Sequence, residues 1–317
     1  MDERTLERFT LKVITSATPE FLPGVQALRN SLKIHHPDAE LWCFYYSKGQ
    51  DVELPTGVNY IHEAEHLGPL IDDGKTFRHG LPLGPDMYAR ILIPNYFDYG
   101  RIFYVDADCL ILNDISELWT MDLQGYPTAC VYRPDIGWHA GGREWTMASG
   151  TFLCDVDAWK SFTFTDERKQ HRGLTEYMYD VMEYDAQKLR KFNLNVESVM
   201  SYAHDGKFLH LDAAYQNLTY YGCLVKDDKV AHYAGPKPWL IEDHTDKKRD
   251  VNYRELWLAY YDNDLEMIKK LTDELPEVRA KNAMSKEKRN YRPFLSNEEL
   301  EKVNNRFLEI YNRVQGK

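Results

Sequence analysis

The sequence predicts an α/β fold: one Rossmann-like domain with a mixed, mostly parallel sheet, followed by a helical C-terminal extension. Short apolar runs rich in β-branched and aromatic residues alternate with amphipathic stretches through the first half, one of those runs ends directly in paired aspartates, and from about residue 250 the pattern turns helical and charged. The division falls at residues 1–245 and 246–317, and a chain of 317 residues has room for one large core but not several full domains.

Leu11 to Thr15 reads as a first buried strand, and Thr18-Pro19 offers an N-cap and a first-turn proline for the helix that follows, in which Phe21, Val25, Leu28 and Leu32 form one apolar face. Leu41 to Tyr46 and Val58 to Ile61 are the next strands, each bounded by turn residues. Residues 86–97 look helical, with Pro94 kinking or ending the element; Arg101 to Val105 is an apolar strand that runs straight into Asp106-Ala107-Asp108. Later strands are placed near 128–132, 149–154, 207–211 and 229–233, and a long helix around 174–192. Ser296 and Glu299 form a capping box ahead of Leu300, Val303, Phe307 and Ile310. There is no internal repeat and no low-complexity tract.

A formal charge of −11 argues against a nucleic-acid or anionic-membrane binder, so an anionic substrate would need a metal or a few placed cations. The five cysteines (Cys43, Cys109, Cys130, Cys154, Cys223) are odd in number and lack any CxxC pair, which reads as small core residues in a reducing compartment. The charged start MDERTLERFTLKVIT lacks the apolar segment of a secretory signal, and no apolar run is long enough to span a bilayer; the expectation is a cytoplasmic protein. Asn217-Leu218-Thr219 matches a glycosylation sequon, which is accidental if the chain is not exported. Oligomeric state stays open, a homo-oligomer included.

Asp106 and Asp108 stand at i and i+2 after a buried strand. Their side chains then share a direction, at the end of the sheet where open α/β folds bind ligands. Hard cations such as Mn²⁺ or Mg²⁺ prefer such oxygen ligands and keep positions open for phosphate oxygens. A solvated Asp-rich turn is the bland alternative. The segment VAHYAGPKPW favours the metal: His232 supplies a nitrogen ligand, Gly235 lets the backbone approach a bound group, and Lys237 supplies a point charge for phosphate. Pro236 and Pro238 stiffen the loop and Trp239 anchors it. Read without those roles, the segment is a rigid Pro-Trp turn with an incidental lysine.

These segments together resemble glycosyltransferase family 8, the retaining enzymes that include glycogenin and the bacterial lipopolysaccharide galactosyltransferases. The resemblance runs in order over about residues 11–240: VITS and a helix ending in Asn30-Ser31-Leu32, YARILIP (Tyr88 to Pro94), IFYVDADCLILNDISELW, SGTFLCDVDAW (Ser149 to Trp159) and HYAGPKPW (His232 to Trp239). It implies the fold termed GT-A and a UDP-sugar donor, with UDP-glucose or UDP-galactose expected; the acceptor, whether carbohydrate, lipid-linked or protein, is unknown. It further implies that Thr15 and nearby backbone line the nucleotide pocket, that Arg90 contacts the donor diphosphate or sugar, and that Asp106, Asp108 and His232 ligate Mn²⁺. Ala107 lies within that cofactor-binding turn, and Gly235 and Lys237 would hold the distal phosphate. Stabilising charge on the departing diphosphate would be the core of such a reaction.

The sequence departs from the family in two places that concern the sugar. The usual Asn-Ala-Gly or Asn-Ser-Gly is Ala148-Ser149-Gly150, so the Asn contact to the donor is missing. The usual Asp-Gln-Asp stretch ahead of a motif like LDAAYQN (Leu211 to Asn217) is absent; Glu197 of Asn195-Val196-Glu197 is the stand-in. The closing motif is also one residue shorter between Gly235 and Lys237. The second departure favours attack by the acceptor from the leaving-group face over a carboxylate nucleophile. Asp155 and Asp157 either face the sugar or cap the turn around Trp159, and capping is preferred.

Other readings are weaker. His62-Glu63-Ala64-Glu65-His66 matches HExxH, but that zinc site needs a continuous helix, and here a strand precedes it and Gly68-Pro69 follows. His35-His36 suits a dipole-favoured pair at a helix C-terminus. A nucleotidyltransferase would carry a basic Gly-rich loop after the first strand, whereas TSATPEFLPG has no Lys or Arg. A degenerate sugar-nucleotide-binding module and a self-glucosylating protein, through tyrosines such as Tyr220 and Tyr221, are the rivals within the same fold.

Overall fold

The computed structural model describes residues 10–62, 77–78, 81–82, 87–133, 146–165, 170–184, 196–219, 224–235, 237–240, 253–278 and 296–314. The strands that build the site are β1 (Lys12–Ala17), β2 (Glu40–Tyr45), β3 (Asn59–Ile61), β4 (Arg101–Val105), β5 (Cys109–Ile111), β6 (Thr128–Arg133), β7 (Thr146–Asp155), β8 (Leu209–Leu211), β9 (Asn217–Leu218) and β10 (Val230–His232). Seven of them form a central sheet in the order β8-β6-β7-β4-β1-β2-β3. β1 runs parallel to β2 and to β4, β2 parallel to β3, and β8 parallel to β6; β7 is antiparallel to both β4 and β6. The chain therefore leaves β1 on one side to reach β2 and returns on the other as β4. Such a reversal of strand order opens a crevice at the carboxyl ends, where open α/β sheets bind ligands.

A second, smaller sheet has the order β9-β10-β5, with His232 opposite Cys109 across an antiparallel ladder. β5 begins immediately after the Asp106-Ala107-Asp108 turn, so that turn sits at the seam between the two sheets.

Among the described residues the helices are α1 (Leu22–His35), α2 (Ile93–Tyr96), α3 (Val156–Ser161), α4 (Leu174–Tyr184), α5 (Val196–His204), α6 (Arg254–Asp262), α7 (Leu265–Asp273) and α8 (Asn297–Val314). One apolar cluster joins Ile14, Phe44, Tyr104 and Phe152 to residues of α4 and α5; another joins Val13, Leu41 and Phe103 to Val25, Leu28 and Leu32 of α1. Helices thus cover both sheet faces, as a parallel sheet requires. A third cluster, built on Trp239, Trp257 and Phe307, packs α6–α8 against α1 and the small sheet. Asn30 joins these parts directly: its amide nitrogen donates to the carbonyls of Tyr260 and Tyr261, both at 3.0 Å, satisfying the end of α6. The division at residues 245 and 246 lies in 241–252, outside the described residues.

Several local readings change. Thr18 makes no side-chain cap; a 3₁₀ turn, Pro19–Phe21, precedes α1, whose own early proline is Pro23. Residues 86–97 are not one helix but a 3₁₀ turn, Ala89–Leu92, feeding the short α2, and Pro94 lies in its first turn, where its missing N–H breaks no helical bond. The helix expected around 174–192 ends at Tyr184 among the described residues, with 185–195 outside them. His35 and His36 do not act as cations at a helix end. Burial, assisted by the neighbouring ring, takes His35 down to about 4, and burial also lowers His36, whose Nε2 accepts the Ile115 amide at 3.0 Å. The Ser296–Glu299 capping box forms as expected, Ser296 N donating to the carboxylate at 2.8 Å. Cys43, Cys109, Cys130 and Cys154 are buried free thiols, and Cys223 is outside the described residues.

α1 lies hard against the aspartate turn. A Cβ added at Gly24 would sit 2.3 Å from the Ala107 carbonyl oxygen and 2.8 Å from the Trp239 ring. Gly24→Ala is predicted to lower unfolding stability by about 1–3 kcal/mol through this clash, despite the better helix propensity of alanine. Urea titration measures it, and an unshifted midpoint would show that the turn gives way freely.

Candidate active site at the sheet seam

Asp108 is buried and Asp106 half-buried, and each has its own cation. Arg90, on the 3₁₀ turn before α2, donates from Nη2 to Asp106 Oδ1 at 2.7 Å. Its Nη1 donates to the Ser149 carbonyl at 2.5 Å and its Nε to the Met87 carbonyl at 3.1 Å. The guanidinium carbon stands 4.3 Å from the centre of the Tyr104 ring. The Tyr104 hydroxyl also donates to Asp106 Oδ1, at 2.9 Å, while lying 2.8 Å from Ser16 Oγ. Tyr104 and Asp106 are two residues apart at the end of an extended segment and so face the same way. With Oδ1 held twice, Asp106 presents Oδ2 toward His232 Nε2 at 3.7 Å.

Asp108 is paired on the other side. Lys237 Nζ binds its Oδ2 and also donates to the Tyr233 carbonyl at 3.2 Å, while His232 Nε2 lies 3.2 Å from its Oδ1. Burial pushes the Asp108 carboxyl up, but Lys237 and His232 outweigh it and leave it below the ordinary 3.8. Burial pushes Asp106 up too, and there Arg90 does not fully offset it because the Asp108 charge adds to the penalty. Burial disfavours the Arg90 charge, yet Asp106 first, then Tyr104 and Glu197, more than restore it.

The sequence-derived site residues are brought together unevenly. Asp106, Asp108, His232, Arg90 and Lys237 converge. Glu197, half-buried in the first turn of α5, lies close enough to Arg90 to stabilise its charge. Gly235 sits on the loop between His232 and Lys237 with φ 94°, a backbone state that glycine adopts without strain. Ala107 is buried beneath the turn. Thr15 is fully buried on β1; the next residue, Ser16, faces the opposite side of the strand and is the one that reaches Tyr104. Trp239 anchors the loop, its indole donating to the Glu20 carbonyl at 2.9 Å.

Asp155 and Asp157 take structural roles, accepting the Ala158 amide at 2.9 Å and the Gly100 amide at 3.0 Å. Asn217 is buried, its amide bonded to Asp228 at 2.5 Å, so the sequon is no glycosylation site. His62 follows β3 directly rather than opening a helix, and the rest of the HExxH segment is outside the described residues. Ala148 packs in the apolar cluster of α1, with nothing to offer a sugar hydroxyl.

Tyr104 and Gln216 were not singled out in the sequence, and Ser149 and Gly150 entered it only as part of Ala148-Ser149-Gly150, with no role of their own. A Cβ at Gly150 would lie 2.6 Å from Gln216 Nε2, 2.6 Å from His232 Cε1 and 2.8 Å from Asp106 Oδ2, so only glycine fits beneath the cluster. Spacing gave one available signal, since Tyr104 precedes Asp106 by two.

The donor set suits a hard divalent cation. Octahedral ligands at about 2.1 Å from a metal are about 3.0 Å from one another, close to the 3.2 Å between His232 and Asp108, while Asp106 stands farther from the ring at 3.7 Å. The potential ligand atoms that lie within 4.8 Å of one another among the described residues are those of Asp108, Cys109 and His232. Burial, however, raises the Cys109 thiol well above its usual range and keeps it a neutral core group, whereas thiolate would favour softer metals.

An α/β sheet with paired carboxylates at its switch point defines a class, and solved glycosyltransferases share the fold. The galactosyltransferase LgtC, solved with donor and acceptor sugar analogs, superposes with a TM-score of 0.56 at 14% identity over 80% of this chain and 96% of that one. GlyE of Streptococcus pneumoniae gives 0.54 at 16%, over 83% and 64%. Among curated relatives, GlyF of the same species is 23% identical over 272 residues, 80% of this chain, which spans 61% of the length of GlyF. General stress protein A of Bacillus subtilis is 32% identical over 90 residues, 25% of this chain and 31% of that protein. Residues 14–243 match Glycosyl transferase family 8, and the chain belongs to that family.

The Lys237–Asp108 pair generates a prediction. With chelator present, Lys237→Met leaves Asp108 buried without its cation and is expected to cost about 3–5 kcal/mol at neutral pH. Asp108 is lowered in the folded state, so the pair stabilises fully above the unfolded value, about 3.9, and the contribution fades as pH falls through the folded pKa. The gap in unfolding free energy between wild type and variant should therefore close in acid. A gap constant from pH 7 to pH 3 would show that the lysine acts by packing alone.

Proposed function

We propose that this protein is a metal-dependent retaining glycosyltransferase that transfers a hexose, glucose or galactose, from a UDP-sugar to a carbohydrate, lipid-linked or protein acceptor. The observation that supports it is the approach of the Asp106 and Asp108 carboxylates to His232 Nε2, at 3.7 and 3.2 Å, beside Lys237, at the switch point of a sheet in a family 8 chain. Mn²⁺ or Mg²⁺ bound there would supply positive charge to the departing diphosphate.

In this reading the protein's own groups do the rest. Asp106 is aimed by Arg90 and Tyr104 so that Oδ2 faces His232; Arg90, bonded to Asp106, Ser149 and Met87, positions Asp106 and borders the donor's diphosphate or sugar. Asp108 is kept ionised by Lys237, which then exchanges part of that contact for the distal phosphate. Gly235 lets the loop backbone close on the same group. Ser16 and the buried backbone around Thr15 border the nucleotide side, and Glu197 borders the sugar side through its proximity to Arg90. Because Ala148 supplies no amide to the sugar, binding of the donor without efficient transfer is the second reading.

Calorimetry of UDP with and without Mn²⁺, followed by a hydrolysis screen over UDP-sugars, tests both. UDP binding should require Mn²⁺ and be lost in Asp108→Ala, and Asp106→Asn should slow donor cleavage on the order of 10²–10³-fold. Metal-dependent binding with no turnover of any UDP-sugar would favour the binding module; metal-independent binding would sink the metal reading.

A further inference from the structure

The outer side of α1 carries a groove that the donor site does not use. Pro19, Leu22, Gln26, Arg29 and Lys33 recur three or four residues apart, form one ridge along the helix, and make the floor. Residues of the stretch Gln50 to Thr56, in the connection from β2 to β3, form one wall. Tyr261 to Leu265, at the junction of α6 and α7, supply the other, with Arg306 and Arg313 of α8. The wider end encloses about 600 Å³ and the narrower about 280 Å³. Gly57 joins them, since it follows the first wall and a Cβ on it would stand 3.0 Å from Arg29 Nη2. At 1.5 Å per helical residue the floor from Leu22 to Lys33 is about 17 Å long, which is the length of about five extended residues. Gly24, whose position faces the aspartate turn, is two residues and so roughly 200° away from Gln26. The groove and the proposed donor site therefore lie on opposite sides of α1.

The lining is cationic and apolar at once. Arg29 donates from Nη1 to Asn30 Oδ1 at 2.9 Å, Lys33 donates to the carbonyls of Pro37 and Ala39, and Arg313 faces the Tyr261 ring at 5.8 Å. Among the described residues none of these three cations is paired with a carboxylate. Arg306 is neutralised by Asp262 and Glu309, which leaves Glu53 as the acid on the walls. On a chain with a formal charge of −11, such a cluster selects an anionic partner. Val52 and Leu265, two of the five large apolar side chains exposed among the described residues, also stand on this groove. The Gln50 and Thr56 side chains and the Gln26 amide oxygen have no partner among the described residues, so they can serve the backbone groups of an extended chain. We propose that the groove binds a short extended peptide of a partner protein, with acidic residues meeting Arg29, Lys33 and Arg313 and apolar ones meeting Val52, Leu54 and Leu265. A sugar chain would want an open aromatic face, and Tyr261 is buried and stacked on Trp257. The proposal is independent of the metal and of the donor.

A phage library of random short peptides, panned on the immobilised full chain, tests this, with enriched sequences resynthesised and labelled with fluorescein. They should combine Asp or Glu with apolar residues. Their affinity, read by fluorescence anisotropy, should fall about 3–30-fold in Arg29→Glu and in Arg313→Glu, and should weaken with added salt. Val52→Ser combined with Leu265→Ser should weaken the same peptides at every salt concentration. Excess UDP with Mn²⁺ should not displace them. Arg313 and Val52 are exposed, so their variants keep the test decisive if Arg29→Glu does not fold. Enrichment of no sequence, of basic sequences, or of acidic ones that bind the variants as tightly as wild type would overturn the proposal. So would binding of oligogalacturonate that the same variants lose, with no peptide enriched, which would give the groove to an anionic saccharide. Dimerisation in sedimentation that Arg313→Glu abolishes would give it to a second copy of the chain and overturn the proposal as well.

Discussion

Two aspartates crowded just past the end of a strand, Asp108 buried and Asp106 half-buried, are the constraint on which this architecture turns. Each carboxylate loses hydration, each repels the other, and neither would stay ionised without a dedicated partner. The partners differ in kind. Arg90 is spent entirely inside the protein, its planar fork divided between Asp106 and a β7 carbonyl and its face laid on Tyr104. Lys237 comes from a loop and binds Asp108 as a single rotatable charge. One cation is fixture and the other is placed where it can change partners.

Satisfying that constraint draws in segments distant in sequence. β4 delivers the aspartates, β7 runs beside them and supplies Gly150, and β10 brings His232 through its ladder with β5. The lysine loop is held by Trp239, wedged between Phe21 and Trp257. Trp257 belongs to α6, whose last carbonyls are in turn held by Asn30 on α1. The C-terminal helices therefore support the loop that bears Lys237, and α1, in contact with the Ala107 carbonyl, supports the turn that bears the aspartates.

What could be read in the sequence was whatever is local. Apolar runs located the strands, and the i, i+2 spacing of Asp106 and Asp108 followed from strand geometry. His232 and Lys237 were legible because glycine, prolines and tryptophan gather around them in eight residues. What the sequence left out shares a cause as well: it depends on packing between distant segments. Ser16, next to Thr15, is the side chain that reaches Tyr104, and which of the two faces that ring is set by what packs on each side of β1. His35 and His36 looked like exposed helix-end cations, but α6 and the loop at Asp114–Ile115 bury them. Tyr104, Ser149 and Gln216 join the site through contacts between residues 2 to 59 apart, and no short motif encodes such pairings.

The two ends of the proposed donor site are consequently built to different tolerances. At the diphosphate end, removing any one group exposes a charge in a dry environment, so the set Arg90, Tyr104, Asp106, Asp108, His232 and Lys237 stands or falls together. At the sugar end the groups are neutral or partly solvated: Ala148 has merged into the apolar core, and Glu197 borders the site from the first turn of α5. Exchanging a neutral contact there costs no uncompensated charge. Electrostatics thus holds the diphosphate end rigid while leaving the sugar end free to vary; the Asn and Asp-Gln-Asp departures fall on that freer side, and the shortened spacing between Gly235 and Lys237 is the one departure at the charged end.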